Sequence, residues 1–146
     1  MSKEETSAKK TEQKIFEDNS ARDDKKLLHK IAQRVFEEAT TETMGSNFQA
    51  IVLSVHLKQK FGKDPYDVLI DDPETFYNGL REVLGTGADM VLILVGTLLS
   101  KRYGAYRSAE EFLALFTRSD SQSKHELEEI FRRIADQGRE EAVKVV

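Results

Sequence analysis

Leu27, Leu28, Ile31, Ala32, Val35, Phe36 and Ala39 recur at steps of three and four, with Lys26, Lys30, Gln33, Arg34 and Glu37 between them. That spacing gathers the apolar side chains on one face of a 3.6-residue helix, so an amphipathic helix is predicted over Lys26–Thr40. The stretch Thr40 to Ser46, with its β-branched residues and Gly45, predicts a break. A second helix, Asn47 to Phe61, carries Phe48, Ile51, Val52, Val55 and Leu57 and is expected to stop at Gly62, where a left-handed cap needs a residue without Cβ. Gly62 to Asp72 reads as a loop with one helical turn around Tyr66 to Leu69. Asp72-Pro73-Glu74 is a strong start signal, because the carboxylate accepts from free backbone N–H groups and proline loses nothing at the first helical position. The helix it opens places Phe76, Tyr77, Leu80, Val83 and Leu84 on one face and must end at Gly85-Thr86-Gly87.

The segment Ala88 to Tyr103 differs from these. Met90, Val91, Leu92, Ile93, Leu94, Val95, Leu98 and Leu99 make it apolar nearly all round, the pattern of a helix inside a core. Gly96 within it predicts close approach of another helix. Ser108 and Glu111, then Ser123 and Glu126, have the spacing of capping boxes. They introduce a short helix with Phe112, Leu113, Leu115 and Phe116, and a last one with Leu127, Ile130, Phe131, Ile134 and Ala135 that frays after Gly138. The fold class expected is all-α: a compact bundle of five to six helices around a buried central helix. Residues 1–20, poor in apolar side chains and mixed in charge, read as a disordered tail, and 21–146 as a single domain.

Composition narrows the chemistry. The chain has 146 residues, so one domain is the simplest count. It contains no cysteine, which removes disulfides, thiolate catalysis and Cys-based metal sites. No apolar run approaches a bilayer span and no signal segment opens the chain, which points to the cytoplasm. A net charge of -4 opposes a nonspecific grip on nucleic acid. His29, His56 and His125 lack a second ligand at helical spacing, and Asp64, Asp67, Asp71, Asp72 and Glu74 lack the order of a calcium loop, so no metal and no cofactor is expected. Gly85-Thr86-Gly87 is followed by Asp89 rather than a lysine, which favours a tight turn over a phosphate cradle. No nucleophile elbow or paired-ligand spacing appears, and the chain is read as non-enzymatic.

One polar cluster stands out. Lys101, Arg102, Tyr103, Tyr106 and Arg107 interleave cations with aromatics, the composition of a surface that stacks on bases and holds phosphates. The same cations also complement the dipole of a helix C-terminus. A helix-turn-helix drawn through Gly85–Gly87 fails, because Met90 to Val95 offers no donors to base edges.

His56-Leu57-Lys58-Gln59-Lys60-Phe61-Gly62, the run Asp71 to Ala88 with its Pro73-Glu74-Thr75-Phe76 start and Leu84-Gly85-Thr86-Gly87-Ala88 junction, and Leu98 to Gly104 carry a resemblance. Over about residues 45–104 the chain resembles an archaeal domain family of unknown function named as a Nitrosopumilus output domain. The resemblance implies an output or interaction module in archaeal regulation. The chain adds the Lys26–Thr40 helix, two C-terminal helices and the tail to that core. The function expected is a regulatory or scaffolding domain that binds protein, as a homodimer through the Leu27–Ala39 or Leu127–Ala135 stripe. The alternative is a nucleic-acid-associated regulator using Lys101 to Arg107.

Overall fold

A computed structural model of the chain describes residues 24–118 and 120–145, and the tail expected at residues 1–20 lies outside them. The described residues form seven helices and no strand. We number them α1 (residues 24–44), α2 (residues 46–61), α3 (Pro65–Asp71), α4 (Pro73–Leu84), α5 (Gly87–Lys101), α6 (Ala109–Arg118) and α7 (Ser121–Val145). The all-α bundle is as expected, with one helix more than the five or six anticipated.

The added helix is α3. Asp64 caps it, accepting from Tyr66 N–H at 2.8 Å, and Pro65 occupies its first turn. Pro65, Tyr66, Val68, Leu69 and Ile70 are buried, so packing, rather than the propensity of a seven-residue segment, sustains it. The break expected from Thr40 shrinks to Gly45, because both threonines satisfy their hydroxyls within the helix. Thr40 Oγ1 donates to the Phe36 carbonyl at 2.7 Å and Thr41 Oγ1 to that of Glu37 at 2.5 Å. At the other end, α7 starts three residues early, capped by Asp120 rather than Ser123, with Asp120 Oδ1 accepting from Ser123 N–H at 2.8 Å, and its backbone continues past Gly138. The expected start at Asp72 holds, with Thr75 N–H donating to Asp72 Oδ1 at 3.3 Å.

The core is a chain of aromatic rings linking helices distant in sequence. Phe36 meets Tyr66 and Phe76 at 5.8 Å each, Phe76 meets Phe61 and Phe116 at 6.3 Å, and Phe112 meets Phe116 at 5.3 Å. Around it lie Leu28, Ile31, Val35 and Ala39 of α1 and Leu127, Ile130, Phe131 and Ile134 of α7. The two stripes expected to support a homodimer are therefore consumed inside the bundle.

The apolar helix α5 packs most extensively on α6. A Cβ at Gly96 would stand 2.8 Å from Ala109 Cα and 3.0 Å from Phe112 Cβ, so only glycine permits this approach, as the sequence suggested. Ala88, Val91, Leu92, Val95 and Leu99 are buried, but Met90 is 54% exposed and Ile93 half-buried. Thus α5 is not enclosed all round.

Candidate functional site

The cluster begins at Lys101, the last residue of α5, and Arg102 to Arg107 form the loop that leaves that helix. Gly104, at φ +58, reverses the chain, and Ala105 N–H reaches back to the Leu99 carbonyl at 2.9 Å, closing the helix end with a left-handed cap. The reversal sends Tyr103 and Tyr106 to opposite partners. Tyr103 donates to Glu38 Oε2 of α1 at 2.6 Å, where Arg102 also forms an ion pair. Tyr106 donates to Glu126 Oε2 of α7 at 3.1 Å and accepts from Arg107, which pairs with Glu111 at 2.9 Å. From α7, Arg133 donates to the Ala105 carbonyl at 3.1 Å and Gln137 to that of Tyr103 at 2.9 Å.

The loop is therefore a joint that fastens α5 to α1 on one side and α7 on the other. Burial, reinforced by the hydrogen bond to Glu38, raises the pKa of Tyr103. Burial also raises that of Tyr106, where Glu126 adds to the effect and Arg107 opposes it. Both hydroxyls are held in the protonated, donating form.

Two clefts flank the joint. One, of about 370 Å³, is lined by Tyr106, Arg107, Glu126, Glu129 and Arg133 among others. The second, of about 450 Å³, is lined by Arg34, Glu37, Glu38, Thr41, Arg102 and Tyr103. Each mixes both signs of charge, so neither presents a field suited to phosphate. The structure places four of the five expected residues in the loop and Lys101 at the helix end beside it, but two of the cations, Arg102 and Arg107, are engaged by carboxylates and both tyrosines serve as ties. Lys101 is exposed at the end of α5.

Most of the remaining sequence candidates have structural work. Asp64 and Asp72 cap helices, Asp67 pairs with His29 at 2.5 Å and Asp71 with Lys25 at 2.7 Å, so the acidic stretch fastens α3 to α1. His29 Nε2 is sealed from solvent, so this pair presents no free nitrogen to a substrate or metal. Across Gly85-Thr86-Gly87, Tyr77 donates to Asp89 at 2.5 Å with Arg81 stacked over its ring at 5.7 Å. The acid that opposes phosphate there is thus tied to the preceding helix.

A different surface emerges on α2. Its middle, Gln49–His56, is a π-helix, and Leu57 N–H donates to the Val52 carbonyl five residues back. Ile51, Val52 and Val55 are β-branched and crowd an α-turn, which weakens the preference for regular geometry here. The buried side chains are Leu53 and Leu57, while Ile51 is 52% exposed and Val55 47% exposed. A stripe expected to face the core thus turns partly outward. The run Ala50 to Val55 is apolar at five of six positions, more than one face can cover, and that excess is the signal in the sequence.

No family model, curated protein or solved structure matches the chain. No helix among the described residues is long and apolar enough to cross a membrane.

Proposed function

We propose that this chain is a non-enzymatic regulatory or scaffolding domain that acts by binding protein, with the outward face of α2 as its contact surface. The observation that carries this reading is the pair Ile51 and Val55, one turn apart and each about half exposed, in a π-helical segment. Fully burying an aliphatic side chain of this size is worth about 1.5–3 kcal/mol, so a large part of that gain is left for a partner to supply. Irregular π turns within helices are often found at functional positions, because the widened turn re-aims side chains. Self-association is one form the interaction takes, and it would use this face, since the α1 and α7 stripes are buried. The resemblance over residues 45–104 supplies the archaeal regulatory setting.

The test is a photo-crosslinking residue at position 51 or 55 of the full chain in its source cells, with exposed position 110 as control. A discrete adduct from 51 and 55 and none from 110 is expected. Equal labelling at all three, or none, would sink the reading.

A further inference from the structure

We infer that α2 is a two-register element: its π turn holds Phe48 against the core, and engagement of a partner returns the turn to α geometry, releasing Phe48 to join Ile51 and Val55 on the contact face. The inference rests on the reading of that face as a contact surface and names what the partner offers it, an apolar groove that receives a helix.

Two apolar stripes cross in α2. The inward one is Phe48, Leu53, Leu57 and Phe61, with Leu53 and Leu57 buried and Phe48 and Phe61 packed half-buried against the core. Its steps are five, four and four, and the step of five falls where the π-helix begins. In α geometry, at about 100° per residue, Phe48 would stand roughly 140° away from Leu53. A π turn bonds each N–H five residues back, so it absorbs one residue and brings Phe48 round to the side of Leu53. The second stripe is Phe48, Ile51, Val52 and Val55, at i, i+3, i+4 and i+7. That is the spacing of an α-helical face. The π turn splits it, taking Phe48 inward and leaving Ile51 and Val55 about half exposed.

Phe48 thus belongs to both stripes, and the register of one turn decides which it serves. The end of α2 is fixed, because Leu57 is buried and Phe61 stacks on Phe76 at 6.3 Å. At its beginning, Gly45 at φ +85 joins α1 to α2 with nothing within 4 Å of where a Cβ would stand. The first turn can therefore rotate by one residue step, about 100°, without moving α1. Without a partner, the contacts of Phe48 with the core sustain the rarer π geometry. A partner shifts that balance only by binding one register better than the other. The α register supplies the difference, because it adds an aromatic ring to a set of i, i+3, i+4 and i+7 anchors, the set by which a helix lies in an apolar groove. Residues 46–61 contain no aspartate or glutamate, and Lys58 is exposed three residues beyond Val55, so a groove rimmed by carboxylates complements this helix.

The test places a photo-crosslinking phenylalanine derivative at position 48, 51 or 55 of the full chain in its source cells, with and without deletion of Ala50. The deletion turns the inward steps into four, four and four, so Phe48, Leu53 and Leu57 align in an uninterrupted α-helix and Phe48 no longer leaves the core when the turn is α. The intact chain should give an adduct of the same mass from all three positions. After the deletion, the adduct from 48 should vanish while those from 51 and 55 persist at lower yield, and the midpoint of urea unfolding should not fall. Adducts from 51 and 55 without one from 48 in the intact chain would overturn the register change and leave the contact surface standing. An adduct from 48 that survives the deletion, or a deletion that unfolds the chain, would overturn it too, since either means that the π turn does not carry one surplus residue. No adduct from any position would remove the contact surface and the register change with it.

Discussion

The joint at Lys101 to Arg107 and the outward face of α2 invert what their sequences suggest. The joint is rich in charge and aromatic groups, yet Glu38 and Glu126 claim its two tyrosines and Glu38 and Glu111 engage two of its cations. The α2 segment reads as one more core stripe, yet it leaves two aliphatic side chains half in water. Composition alone therefore does not identify an interaction surface. A polar cluster whose groups are mutually satisfied has little left to offer a ligand, whereas apolar area still in water retains free energy for binding.

This contrast can be broken most forcefully at the joint. Replacing both Glu38 and Glu126 by Ala removes the acceptors of Tyr103 and Tyr106, and each loss should cost about 1–3 kcal/mol in a urea unfolding measurement. Unchanged stability would mean that the loop is not a structural tie. Alkaline titration probes the same ties without mutation. The folded-state pKa values of Tyr103, Tyr106 and Tyr77 are all raised, so their contribution is complete below the ordinary tyrosine value of 10.0 and is lost as pH rises through the folded values. Stability should fall above pH 10, and the fall should be shallower in the double variant Tyr103→Phe and Tyr106→Phe.

Smaller effects sharpen the comparison. Arg102→Ala and Arg107→Ala should each cost only about 0.2–1 kcal/mol, because their ion pairs are exposed. Labelled duplex DNA at low salt should show no binding that these substitutions weaken. Salt-sensitive binding lost in both variants would restore the joint as a nucleic-acid surface. Ile51→Gln with Val55→Gln should have the least effect on folding, within about 0.5 kcal/mol per site, while removing any rise of mass with concentration in sedimentation equilibrium. A large loss of stability would return these side chains to the core.

Much of the fold was legible because helix periodicity and caps are local. The α1 stripe, the Asp72 cap and the turn at Gly85 all follow from residues a few positions apart. The misread elements are those where a distant neighbour decides. α3 is a helix because its apolar residues find a core, and Met90 is exposed although Val91 and Leu92 beside it are buried; Thr40 is the local exception, its hydroxyl bonding back to Phe36 within α1. The candidate surface was legible only as an excess of apolar residues at Ala50 to Val55.

By itself, then, the sequence determined all the helices but α3, most of their ends and, for α1, α4, α6 and α7, the side each turns inward, since these depend on spacing and backbone hydrogen bonding within one or two turns. Tertiary structure alone decided that the tyrosines of the joint meet carboxylates 65 and 20 residues away. It also decided which of Ile51, Leu53, Val55 and Leu57 remain in water. Periodicity fixes which side chains share a face, but the number of faces a bundle can cover depends on how many helices pack around each one.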